Sequence, residues 1–175
     1  MCNVSVITIF KRRHKKVKEC LNSLINQTLS NTEIICIYKE ENSDIDRFVK
    51  ETQEKYKHIK IIYKTKAQDV TAKNKALEEA QGKYIIVMNG DMCLEKTALE
   101  KLYNAQEKNG TDIAICGFNI IDINTNQLIH EGLNNKFKEV EEVNGKNENF
   151  AYLNLDGGNK LIKKEIAKDI GFQNY

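Results

Sequence analysis

Two hydrophobic periods alternate along this chain, and that alternation limits its fold more than any other feature. Short apolar, β-branched runs occur at Val4–Phe10, Glu33–Tyr38, His58–Tyr63, Lys83–Met88 and Asp112–Cys116. Between them the apolar residues fall three and four apart. Lys15–Gln27 carries Val17, Cys20, Leu21, Leu24 and Ile25, and Ile45–Tyr56 carries Ile45, Phe48, Val49 and Tyr56. Val70–Ala80 carries Val70, Leu77 and Ala80, and Glu95–Asn109 carries Ala98, Leu99, Leu102 and Tyr103. The first pattern predicts strands and the second amphipathic helices. Strands alternating with helices of this length build βαβ units on a largely parallel sheet. Near-continuous apolar strands agree, because such a sheet is covered on both faces. Gly82 stands where a C-cap would end the third helix, and Asn109-Gly110 ends the fourth.

After Cys116 the rhythm changes. Phe118–Ile123 and Gln127–His130 flank Asn124-Thr125-Asn126, which reads as a hairpin. Glu131–Phe150 is polar and aperiodic and reads as a loop. Ala151–Leu155 reads as a short strand and Lys163–Ile170 as a helix closed by Gly171. The expected class is α/β, with a mostly parallel central sheet flanked by helices and a C-terminal hairpin or antiparallel part.

Composition narrows the function classes. With 175 residues, the chain buries a core without disulfides or metal. No apolar run approaches the ~20 residues that span a bilayer, and the N-terminus lacks a signal-peptide plan. A net charge of +2 is too balanced to argue for nucleic-acid binding. Lysine outnumbers arginine 24 to 3, a compositional bias rather than a phosphate-reading signal. The five cysteines are odd in number and include no C-x-x-C pair, which implies a reducing, cytoplasmic setting.

In open parallel sheets ligands bind beyond the carboxyl ends of the strands. No G-x-G-x-x-G, P-loop or G-x-S-x-G motif stands there. Three other features do. Asn89-Gly90-Asp91 follows a fully apolar strand and precedes a helix that should start near Leu94-Glu95. Asp91 is an oxygen ligand for Mg²⁺ or Mn²⁺ on one reading, and a carboxylate favoured by a helix N-terminus on the other. Lys11–Lys16, with Arg12 and Arg13, is either a phosphate-facing loop or a solvated charged one. Lys73 and Asn74 lie beside an apolar helix face and need partners, either a ligand phosphate, a carboxylate such as Asp91, or water reached by snorkelling.

Together these segments resemble the nucleotide-sugar-binding half of family 2 glycosyltransferases, with the Rossmann-like GT-A fold. The likeness runs through Val4–Ile7, Glu19–Thr28, Glu33–Ile37, Lys73–Leu77, Gly82–Asp91, Leu94–Tyr103, Asp112–Gly117 and Gly158–Glu165. It divides the single domain into 1–117, the nucleotide-sugar half, and 118–175, a partial acceptor-side segment. It implies transfer of a sugar from a nucleotide-diphosphate donor, a UDP-sugar first, to an acceptor hydroxyl. It implies Asp91 with Asn89 as ligands of Mn²⁺ or Mg²⁺, and Arg12, Tyr38 and Lys73 beside the donor. Family members often build surface polysaccharide, which adds peripheral work at an inner membrane face to the cytoplasmic expectation.

The chain departs from the family pattern at several of these places. Ile9-Phe10-Lys11-Arg12 replaces a Pro and Tyr-Asn stretch. Tyr38 and Lys39 replace paired aspartates. Lys73 replaces an arginine, and Asn89 replaces the first Asp of a D-x-D. The family's general base follows the Gly158–Lys164 segment beyond Tyr175, so none is assigned; Asp156 is the one late carboxylate nearby. Two readings fit: a piece of a longer enzyme, or a catalytically inactive binding or interaction module on the same fold.

Overall fold

A computed structural model describes residues 1–10, 16–38, 43–57, 59–64, 69–122, 124–132 and 158–173. In chain order the elements are β1 (Val4–Phe10), α1 (Val17–Ile25), β2 (Thr32–Tyr38), α2 (Ser43–Lys55), β3 (Ile59–Lys64), α3 (Asp69–Glu79) and β4 (Tyr84–Asn89). Then come α4 (Ala98–Asn109), β5 (Ile113–Ile115), β6 (Phe118–Ile121), β7 (Leu128–Gly132), β8 (Lys160–Lys163) and α5 (Lys164–Ile170). Six strands form one sheet in the order β3-β2-β1-β4-β8-β5. β1 pairs in parallel with both β2 and β4, and β2 with β3. Among the described strands of this sheet, only β8 runs against the others, antiparallel to both β4 and β5.

The central strands are mostly apolar because both faces are covered. In β1, Val4, Val6 and Phe10 join one core with Cys20, Leu21 and Leu24 of α1, Val49 of α2 and Leu99 and Leu102 of α4. Ile7 and Ile9 point the other way, to Ala72, Ala76 and Leu77 of α3 and Ala167 of α5. The period of two in the strands thus serves two helical layers. Each fully buried Ile or Leu contributes about 1.5–3 kcal/mol by leaving water.

The strand–helix order expected from the sequence is the observed one, with local corrections. Gly82 is not a left-handed cap: among the described residues, the positive-φ glycines are Gly110, Gly158 and Gly171. Its value is closeness: a Cβ there would lie 2.6 Å from Ser5 Oγ and 2.7 Å from the Val4 carbonyl carbon. The Gly82 N–H donates to Ser5 Oγ at 2.7 Å, and Ser5 Oγ donates to Glu33, which is 1% exposed. The Gln81 N–H also donates to Glu33 Oε1. This clasp joins β1, β2 and the α3–β4 turn at the amino end of the sheet.

α4 starts at Ala98, not at Glu95, and Thr97 makes no side-chain cap. β8 was not foreseen as a strand. Four residues with lysines at both ends carry too little alternation to stand out, and its pairing with β4 and β5 comes from distant chain. Lys160–Lys163 therefore complete the sheet begun by residues 4–115.

The hairpin is present as β6–β7. Glu131 and Gly132, expected in a loop, belong to its second strand. Asp122 accepts hydrogen bonds from the Asn124 and Thr125 N–H groups, both at 2.8 Å, which closes the turn. Phe118, Ile120, Ile121, Leu128 and Ile129 of the hairpin are exposed. The expected strand at Ala151–Leu155 lies outside the described residues. Among the described residues, no helix is long and apolar enough to cross a membrane.

Candidate functional site

The strand order reverses at the β1–β4 pair. From β1 the chain steps outward to β2 and β3, then returns to lay β4 on the other side. Such a reversal opens a crevice at the carboxyl ends of the two strands, where open α/β sheets take ligands. Pairing aligns Phe10 with Tyr38, Tyr38 with Lys64, and Ile9 with Asn89. The ends of β3, β2, β1 and β4 therefore share one edge.

The Asn89-Gly90-Asp91 turn is built into this edge. The Gly90 N–H donates to the Ile9 carbonyl at 2.8 Å, and the Met92 N–H to the Asn89 carbonyl at 3.0 Å. Gly90 is buried, while Asn89 and Asp91 are exposed on either side of it. A Cβ at Gly90 would sit 2.8 Å from Phe10 Cε1 and 2.9 Å from the Ile9 oxygen. The glycine is thus required by close packing on β1, and the packing sends the Asn89 and Asp91 side chains outward. Because α4 begins only at Ala98, Asp91 lies a whole loop away from that helix. The helix-dipole reading of Asp91 therefore fails.

Gly158 approaches the turn from below. Its N–H donates to the Val87 carbonyl at 2.8 Å, and a Cβ on it would lie 2.6 Å from Met92 Sδ. Asn159, 7% exposed, exchanges two hydrogen bonds with the main chain of Cys116. In the sequence this segment stands out only through the family resemblance. The Gly157-Gly158-Asn159 run was the signal available in the sequence, and Gly158 takes a positive φ of 59°.

The other sequence candidates fall in different surroundings. Tyr38 shares the edge but is only 7% exposed and packs within the α1–α2–α4 core, so its ring offers a rim rather than a face. Lys73 is 8% exposed, and its ammonium lies 5.3 Å from the centre of the Phe172 ring. Asn74 does not turn toward Asp91. Its amide donates to the Phe172 carbonyl at 3.1 Å and accepts from the Phe172 N–H at 2.8 Å, fastening the end of α5 to α3. Arg12, Arg13, Lys39 and Asp156 lie outside the described residues. Lys16, at the rim of the basic loop, pairs with Glu19 at 2.7 Å, which raises its pKa.

Cysteine chemistry is disfavoured nearby. Burial pushes the Cys20 thiol up to about 12 and also raises Cys36. Burial raises Cys93, two residues after Asp91, as well, so all three are thiols at neutral pH. A depression of about 370 Å³ lined by Lys18, Arg47, Phe48 and Glu51 lies between α1 and α2 and takes in none of the candidates.

The donor set at the turn is one carboxylate and one amide oxygen. Among the described residues, no three His, Cys, Asp or Glu side chains gather as a metal cage. That is too little for a dedicated site. It does suit a hard cation that brings its own phosphate oxygens and waters and takes one or two ligands from the protein.

Comparison with known proteins adds to this geometry. The chain is 33% identical over 117 residues to a cholesterol galactosyltransferase of Borreliella burgdorferi, covering 67% of this chain and 33% of that protein. It thus spans about a third of that relative's length. Residues 1–349 of S. aureus TarS in complex with UDP superpose with a TM-score of 0.76 at 21% identity, over 98% of this chain and 50% of that one. A mannosyltransferase of Pyrobaculum calidifontis, in complex with GDP-Man and Mn²⁺, gives 0.61 at 13% identity, over 98% and 47%. The sheet flanked by helices on both faces matches the Rossmann-like GT-A fold of these structures. A family model described as glycosyl transferase family 2 matches residues 5–171, and the chain belongs to that family.

Proposed function

We propose that this chain binds a nucleotide-diphosphate sugar at the carboxyl edge of β1, β2 and β4, and serves sugar transfer to an acceptor hydroxyl. The observation that supports it most is the Asn89-Gly90-Asp91 turn, packed on Phe10 at the strand reversal with both polar side chains outward. In this reading Asp91, helped by the Asn89 amide oxygen, holds a Mn²⁺ or Mg²⁺ that travels with the diphosphate. When bound, that ion supplies charge neutralisation of the leaving diphosphate. The Tyr38 rim borders the nucleotide, and Arg12 and Lys73 contribute positive charge toward the phosphates. A UDP-sugar is the first donor to try, since UDP and UDP-GlcNAc are the ligands of TarS structures that share the fold.

A second reading is favoured by the donor set itself. With Asn at 89, Tyr at 38 and Lys at 39, the edge has fewer carboxylates than the family pattern. A non-catalytic nucleotide-sugar or interaction module fits that loss. The test is a thermal-shift series with UDP, GDP and their sugars, with and without Mn²⁺. A ligand at ~100 times its Kd adds about 2.7 kcal/mol, a rise of about 5–10 °C for a chain of this size. A rise that needs both nucleotide and metal, and that Asp91→Ala abolishes, supports the donor site. No rise with any of them removes the first reading.

A further inference from the structure

We infer that Ser23, in the last turn of α1, and Gln27, just past the end of that helix, are positioning residues that fix the loop carrying Asp91. Residues 92–96, between the Asp91 turn and α4, have no helix or strand of their own to satisfy their main chain. The partners come from α1 instead. Ser23 Oγ accepts the Leu94 N–H at 3.1 Å while donating to its own helix at the Cys20 carbonyl, 2.7 Å. The Gln27 amide nitrogen donates to the Glu95 carbonyl at 2.8 Å and to the Ser23 carbonyl at 3.0 Å. Its oxygen accepts the Leu99 N–H at 3.0 Å.

That last bond supplies the cap that Thr97 does not provide. The first N–H groups of a helix need partners, and here a residue just past the end of α1 provides one for α4. Thr28 continues the seam: its N–H donates to the Lys96 carbonyl at 3.1 Å and its hydroxyl to Glu100 at 2.7 Å.

The loop is thus held at two ends. Gly90 anchors it to β1, and Ser23 and Gln27 anchor it to α1. Asp91 hangs between the two anchors. Loosening the α1 anchor leaves β4 and the core intact but lets the Asp91 carboxylate wander, so its effect falls on metal-assisted binding rather than on nucleotide contacts elsewhere. This rests on reading Asp91 as the donor-side metal ligand.

The experiment uses Ser23→Ala, Gln27→Met and the conservative Ser23→Thr, each read in two ways. Amide hydrogen exchange is followed in the peptide spanning residues 90–99, with the β1 and β2 peptides as internal reference. UDP affinity is measured by calorimetry with and without Mn²⁺.

The expected result is faster exchange confined to residues 90–99 in Ser23→Ala and Gln27→Met. With it comes a Mn²⁺-dependent UDP affinity about fivefold weaker, the factor that corresponds to one ordinary hydrogen bond. Metal-free UDP affinity stays at the parent value, and Ser23→Thr restores the parent behaviour. Unchanged exchange in the loop overturns the anchoring, whatever the ligand does. Faster exchange with unchanged Mn²⁺-dependent affinity overturns the positioning role. A parent protein that gains nothing from Mn²⁺ overturns the reading of Asp91 and, with it, this inference.

Discussion

Gly90→Ala is the sharpest probe of the candidate site, because the space for the added methyl is known atom by atom. The new carbon would lie 2.8 Å from Phe10 Cε1 and 2.9 Å from the Ile9 oxygen. The carbonyl belongs to a strand paired on both sides, and the Phe10 ring is 1% exposed, so neither retreats freely. Overpacking of this kind costs about 1–3 kcal/mol, which lowers the melting temperature by about 2–12 °C. Relief comes from moving either the ring or the turn. If the turn moves, Asn89 and Asp91 move with it, and nucleotide-plus-metal stabilisation falls in the same variant. Phe10→Leu frees space at the cost of a cavity, so the double variant Phe10→Leu/Gly90→Ala should be more stable than the two single changes added together, by about 1 kcal/mol. Urea unfolding of the four proteins measures that coupling. A Gly90→Ala protein with the parent's stability, or strictly additive changes, would refute the packing argument.

Three further outcomes are expected. Ser5→Ala leaves the Gly82 N–H and the buried Glu33 carboxylate each short of a partner and should cost about 1–3 kcal/mol in urea unfolding. Asn74→Ala removes both bonds to the Phe172 main chain and should expose residues 171–173 to proteolysis and faster exchange, while β1–β4 keep their protection. Glu107 accepts from Lys83 and then Tyr84, which lowers its pKa below the ordinary 4.5. A depressed carboxylate stabilises the fold above that value and loses the contribution as pH falls through its folded pKa. Glu107→Gln should therefore flatten the acid limb of stability below pH 4.5, by a small amount because Lys83 and Glu107 are both solvent-exposed, and leave the pH dependence above it unchanged.

The fold was legible where the period was strong. Val4–Phe10, Glu33–Tyr38 and Lys83–Met88 read as doubly covered strands because nearly all their residues are apolar, with no alternation to a polar face. Chain ends and contacts that depend on distant segments were not legible. Nothing local announces that Lys160–Lys163 slides between β4 and β5, or that α4 waits until Ala98 because Gln27, just past the end of α1, supplies its cap. Gly82 illustrates the same limit: a glycine after a helix suggests a cap, but here the close approach of Ser5 requires it. At the site, the Asn89-Gly90-Asp91 turn could be picked out from a strand running into Gly and Asp. The burial of Tyr38 and the turning of Asn74 toward Phe172 could not, because both depend on what packs against them from elsewhere in the chain.

The antiparallel β8 also sets a timetable for synthesis. β1 through β4 can pair as they leave the ribosome, each strand finding a neighbour already made. β5 has none, since the partner between it and β4 is still unmade. At about 5–20 residues per second, the stretch from residue 115 to residue 160 takes a few seconds to appear. For that interval the open side of β4 is a bare sheet edge, able to accept any passing strand. Closure by β8 is a long-range event and comes late. A nascent chain stalled before residue 160 therefore has the candidate ligand turn in place but an unfinished sheet, and it is the form of this protein most exposed to wrong partners.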